Sequence, residues 1–211
     1  MLQEHGPQKL VSSLFSALFS TQDTIHWHAV SCMGEAVCQL AAERMEAARI
    51  VMRRLMWSLN DESGGIGWGA PEAMGEIMAR DSCLAREYSS ILLSYIVPSD
   101  GPDNYLEYAP LRQGAYWGIA RLAQTRPQLV QPWQQNLAHA LQSEGEPKSL
   151  LVICLAFTSL DCISPEARPG LEKLSSNQES VCIYWQRKFQ TRVLGAQAQE
   201  ALAADQQGHA L

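Results

Sequence analysis

The chain of 211 residues is 46% hydrophobic and 18% charged, which is enough apolar material for a sizeable core and excludes global disorder. Its formal net charge of −6 argues against nonspecific nucleic-acid binding, because neutralising phosphates takes a basic surface. The longest apolar runs, 150–157 and 91–97, fall far short of the roughly 18–20 residues a bilayer requires, so no membrane-spanning helix is expected.

In chain order, the segment up to Ser20 lacks the cationic opening and small-residue cleavage site of a signal peptide and reads as a first helix. Leu10, Leu14, Leu18 and Phe19 fall at helical spacing within it. Asp23 or Thr24 is placed to cap a second helix over 25–41. A third, over 43–59, carries Met45, Ala48, Val51, Met52, Leu55 and Met56 on one side, with Arg49, Arg53 and Arg54 on the other. After the glycine-rich stretch 60–67, a helix over 68–80 holds Pro71 in its first turn, where a missing N–H costs little. Ser82 is placed to cap 83–97, and the stretch PSDGPDN at 98–104 breaks the chain. Further helices are expected over 105–124, from 127 or 132 to about 143, over 148–160 and over 165–174. One long polar helix is expected over 179–204. No segment sustains the period-two alternation of a strand, so the predicted fold class is all-α.

The strongest internal signal is a repeat. Residues 27–36 read WHAVSCMGEA and residues 68–77 read WGAPEAMGEI, so Trp, Ala, Met, Gly and Glu recur in order from Trp27 to Trp68, 41 residues on. A third copy follows at 111–122, LRQGAYWGIARL, and a weaker fourth at 147–156, PKSLLVICLA. Each copy neighbours another helix, so the unit is a helical hairpin repeated at a solenoid-like period. Approximate units are 7–41, 42–81, 82–124 and 125–160, with 161–205 as a C-terminal cap, all within a single domain.

With Arg112, Ala115, Gly118 and Ile119 in the third copy, and Ala29, Met33, Gly34, Ala70, Met74 and Gly75 in the first two, the pattern resembles HEAT repeats of the phycobilisome-lyase type. The resemblance covers about residues 7–160 and implies a right-handed α-α superhelix whose second helices line a concave face. Only Arg112 and Lys148 keep the basic residue of that family's second helix.

Residues four apart on a helix lie nearly above one another. The resulting stripe reads Trp27, Ser31, Glu35, then Trp68, Glu72, Glu76, then Gln113, Trp117, Arg121, then Ser149, Ile153, Phe157. The resemblance places it in the groove, where repeat proteins bind extended partners. Trp27, Glu35, Trp68, Glu72, Glu76, Trp117 and Arg121 are therefore the candidate partner-binding residues of a scaffold that holds a protein or peptide. The competing use is structural, with Trp27 and Trp68 packing between repeats and Glu35 and Glu76 on a solvated face. Glu35 and Glu76 on adjacent helices could also share a water or a cation.

Other chemistries find less support. His26 and His28 suggest a metal, but Trp27-His28 and Trp68-Gly69 stand where the His-Glu pairs of HEAT-class metal oxygenases would fall, so neither metal nor cofactor is expected. The loop ESGGIG at 62–67 matches no phosphate-binding spacing, and Asp61, Glu62 and Glu72 would repel an anion. The resemblance also admits a DNA glycosylase of the alkylpurine type built on Trp68, Glu76, Trp117 and Arg121, against which the acidic balance stands. A lyase or chaperone attaching a chromophore is suggested by the family alone. Six cysteines without a C-x-x-C pair read as free thiols in a reducing cytoplasm.

Overall fold

The computed structural model describes residues 7–60, 66–98 and 104–208; the glycine-rich stretch 61–65 and most of the 98–104 breaker lie outside the described residues. Helix α1 (Pro7–Leu18) leads into α2 (Asp23–Glu43), and a single extended residue, Arg44, separates α2 from α3 (Met45–Ser58). Then follow α4 (Ala70–Arg80), α5 (Ser82–Ser94), α6 (Ala109–Ala123), the short α7 (Pro127–Val130), α8 (Gln134–Ser143), α9 (Pro147–Phe157) and α10 (Arg168–Leu174). Strands β1 (Ser180–Trp185) and β2 (Lys188–Val193) precede the last helix, α11 (Leu194–Gly208).

Local chemistry explains the starts. Proline occupies the first turn of α4, α6 and α9, where no intrahelical N–H bond is lost. Gly69 precedes α4 with φ +74°, a left-handed conformation that glycine adopts without steric cost. Asp81, rather than Ser82, caps α5, its carboxylate accepting from the N–H groups of Cys83 (2.9 Å) and Leu84 (2.8 Å). Asp23 lies one position inside α2, next to the N-cap Gln22, so its charge complements the helix dipole instead of capping.

The helices stack in two layers. α2, α4, α6 and α9 pack successively against one another, and α11 continues the row beside α9. These are the helices that carry the four sequence copies. α3 lies against α2 and α4, α5 against α4 and α6, and α8 against α9. One continuous core runs through them from Val11 to Ala201, with Met33, Met52, Met74, Ile77, Leu84, Leu92, Ile119, Leu137 and Phe157 fully enclosed.

The glycine of the repeated M-G-E segment has a steric role. A Cβ at Gly75 would lie 2.2 Å from Gly118 Cα and 2.5 Å from its carbonyl oxygen. α4 and α6 thus cross backbone to backbone. Any side chain at Gly75 would force them apart.

The C-terminal region corrects one expectation. Residues 179–204 do not form one helix: 180–193 is an antiparallel hairpin, paired from Ser180↔Val193 to Trp185↔Lys188, and only then does α11 begin. Val181, Ile183, Tyr184, Trp185, Phe189, Thr191 and Val193 are β-branched or aromatic and suit a pleated surface. The pattern was weak because Tyr184 and Trp185 are both buried, which interrupts the alternation. The two-residue turn, Gln186–Arg187, also lacks the usual Asn-Gly signal.

Candidate functional site

The hairpin lies across the inner face, and its aromatic residues close over part of the predicted stripe. Tyr184 stacks on Trp27 with centroids 5.2 Å apart and planes 16° from parallel. Trp117 lies 4.9 Å from Trp27 and 5.8 Å from Trp185. The indole Nε1–H of Trp117 donates to the Tyr184 carbonyl at 2.7 Å, and the Tyr184 hydroxyl is 3.0 Å from Ser31 Oγ. Trp27 and Trp117 are consequently buried, at 7% and 4% exposure. Two of the stripe's three tryptophans are occupied by a segment of the same chain.

Beyond the hairpin the inner face is polar. Glu35 on α2 accepts from Arg80 Nη1 at 2.8 Å; Arg80 Nε donates to Glu76 Oε1 at 2.9 Å; Arg121 Nε donates to Glu76 Oε2 at 2.6 Å. Arg121 Nη1 continues the chain to Gln124 Oε1 at 3.1 Å. Glu76 is buried, and two guanidiniums, one on each oxygen, offset the cost of desolvating it. The adjacent carboxylates Glu35 and Glu76, whose spacing on the sequence would allow a shared water or cation, are bridged by Arg80. Sequence reasoning missed Arg80, although its position four residues after Glu76 on one helix was a usable signal. It also missed Tyr184, which no local pattern connects to α2 or α6.

Glu72 and Trp68 stand apart from this network. Trp68 is about one third exposed, and its ring meets Tyr108 edge-on at 5.7 Å at the start of α6. Glu72 is buried, with Oε1 4.0 Å from His26 Nε2 and Oε2 without a hydrogen-bond partner among the described residues. His26 Nδ1 lies 2.8 Å from the Leu18 carbonyl, which can only accept, so Nδ1 carries the proton there. Burial raises the Glu72 pKa, opposed by the charges of His26 and Lys148. Gly114 is what leaves room for this carboxylate, since a Cβ there would sit 2.5 Å from Oε1.

The remaining basic residues of note are structural. Arg112 ties Glu144 (2.5 Å) to the Leu106 carbonyl (2.7 Å). On the outer layer Arg49 pairs with Glu87 at 2.6 Å, Arg53 with Glu46 at 2.5 Å, and Arg54 lies 3.8 Å from the centroid of Phe15. Among the described residues no cluster of three or more His, Cys, Asp or Glu side chains could hold a metal. The six cysteines are free, and burial pushes the Cys154 thiol up to about 12.

Where the hairpin tip meets the polar ladder, a cavity of about 500 Å³ opens between Glu76, Trp117, Arg121, Tyr184 and Arg187. Its size falls in the range of sites that take a residue-sized group.

Helix pairs stacked so that one helix of each lies on a shared inner face define an α-helical repeat solenoid. Solved structures of designed armadillo repeat proteins have the same architecture. One, described as computationally designed armadillo repeat proteins for modular peptide recognition, aligns with TM-score 0.54 over 94% of this chain and 85% of its own length, at 16% identity. Another, a designed armadillo repeat protein in complex with the peptide (KR)4, aligns with TM-score 0.54 over the same shares at 17% identity. No family model and no curated protein matches the chain.

Proposed function

We propose that the chain is a HEAT-like repeat scaffold that holds a protein or peptide partner on the part of its inner face left open by the hairpin. The observation that carries this reading is the polar ladder from Glu35 through Arg80 and Glu76 to Arg121, which ends in a cavity instead of a packed contact. Paired charges held in fixed geometry orient a partner more than they add affinity. One designed solenoid of like fold is described as made for modular peptide recognition and another is in complex with a peptide, which supports a peptide-holding use of this fold. Of the stripe read from the sequence, Glu35 and Arg121 are the partner-facing residues, Glu76, Trp117 and Trp27 support them from below, and Trp68 and Glu72 lie to one side. Free thiols fit a reducing compartment such as the cytoplasm.

Selection of peptides from a random display library on the full chain tests the reading. Selected peptides should lose binding to Glu35→Ala and Arg121→Ala while keeping it to Arg53→Ala on the outer layer, with helicity by circular dichroism unchanged in all three. Peptides indifferent to both inner-face changes would sink it.

A further inference from the structure

The cavity at the end of the ladder has a charge imbalance and a costly turn in its wall. Glu35 and Glu76 are matched by Arg80 and Arg121, so those four groups balance. Arg187, also in the wall, forms no ion pair or hydrogen bond among the described residues, so the site carries one surplus positive charge on a chain whose net charge is −6. Arg121 spends Nε on Glu76 and Nη1 on Gln124, which leaves Nη2 without a protein partner among the described residues.

The turn deepens the point. Gln186 and Arg187 join β1 to β2 with φ of 52° and 65°, the left-handed conformation that a two-residue hairpin turn demands and that Asn-Gly ordinarily supplies. Here two long polar side chains accept that conformation, and both line the cavity. The turn that closes β1 onto β2 thereby sets Gln186 and Arg187 at the cavity's edge. Trp117 and Tyr184 form the adjoining wall, held in place by the indole-to-carbonyl bond and by stacking on Trp27.

We infer that this cavity is a carboxylate-binding subsite, which takes the carboxylate of an extended peptide between Arg187 and Arg121 Nη2. The carboxylate is either an Asp or Glu side chain or the peptide's free C-terminus. A planar guanidinium with an open N–H edge matches either source. The inference rests on the peptide-binding reading above and names the chemistry its site selects.

The test is NMR titration of the full chain with four pentapeptide probes: acetyl-AAEAA-amide, acetyl-AAAAA with a free C-terminus, acetyl-AAAAA-amide and acetyl-AAKAA-amide. The readout is the Trp117 indole resonance, assigned with Trp117→Phe. Saturable shifts are expected from the first two probes, and whichever binds more tightly identifies the source of the carboxylate. Arg187→Gln should weaken that binding about tenfold, the loss of one charge-assisted hydrogen bond, and Arg187→Lys should retain most of it. Equal binding of all four probes, or no effect of Arg187→Gln, overturns the carboxylate subsite while the peptide reading stands. Failure of every probe to shift the resonance overturns the carboxylate subsite, and the peptide reading is decided separately by the library selection.

Discussion

Replacing Tyr184 tests whether the hairpin is clamped to the inner face or merely lies near it. The side chain is 3% exposed, stacks on Trp27, meets Phe189 edge-on at 5.2 Å, and bonds Ser31 through its hydroxyl. A buried aromatic of this kind removes roughly 150–250 Å² from water, worth about 4–6 kcal/mol as an upper bound. Part of that remains with the alanine methyl, and measured aromatic-to-alanine losses run about 3–5 kcal/mol. Tyr184→Ala is therefore expected to lose about 4 kcal/mol in urea unfolding followed by tryptophan emission. Tyr184→Phe keeps the stack and removes one hydrogen bond, an expected loss of about 1 kcal/mol. The alanine variant should also show a red-shifted native emission, since Trp27 and Trp117 lose their cover, and faster amide exchange across 180–193. A loss under about 1 kcal/mol for Tyr184→Ala, with unshifted emission, would refute the clamp.

Gly75→Ala sets a gain in helix propensity of about 1 kcal/mol against overpacking of about 1–3 kcal/mol or more, because the new Cβ would lie 2.2 Å from backbone of α6. Calorimetry should show a melting temperature lower by several degrees, at roughly 2–4 °C per kcal/mol for a chain of this size, and an unchanged or raised value would contradict the backbone crossing. Glu72 gives a pH dependence. Burial raises its folded pKa above the ordinary carboxyl value, so the folded state holds a proton the unfolded state releases, and stability from this group is full below the unfolded pKa and falls as pH rises through the folded one. Glu72→Gln, which mimics the protonated carboxyl, should gain on the parent progressively as pH rises above about 4.5. Urea midpoints across a pH series measure this, and a pH-independent difference would show that Glu72 is not desolvated in the fold.

The inner layer was legible because its information is local. Trp, Ala, Met, Gly and Glu recur at one register, and the small residues among them, Gly75 above all, are the ones that backbone contact demands. The polar ladder was half legible: Glu76 and Arg121 stood on the stripe, but which cation bridged Glu35 depended on Arg80, one helical turn beyond the repeated segment. The aromatic end was not legible. Trp27 and Trp117 look alike in sequence whether they face solvent or core, and what buries them is Tyr184, whose side chain meets Ser31 across 153 positions of chain. No periodicity records a contact of that range, and the hairpin that makes it carried a turn, Gln186–Arg187, without the residues that usually announce one.

The contact between Tyr184 and α2 changes how such a molecule comes apart and comes together. In a simple solenoid each unit touches only its neighbours, so stability sums along a line and the ends fray first. Here a late segment closes onto α2 and α6, so α2 cannot loosen without releasing the hairpin, and the hairpin cannot settle until α4 holds α2 and α6 in one row. That long-range closure couples α2 to the hairpin, 153 positions away, in one cooperative unit.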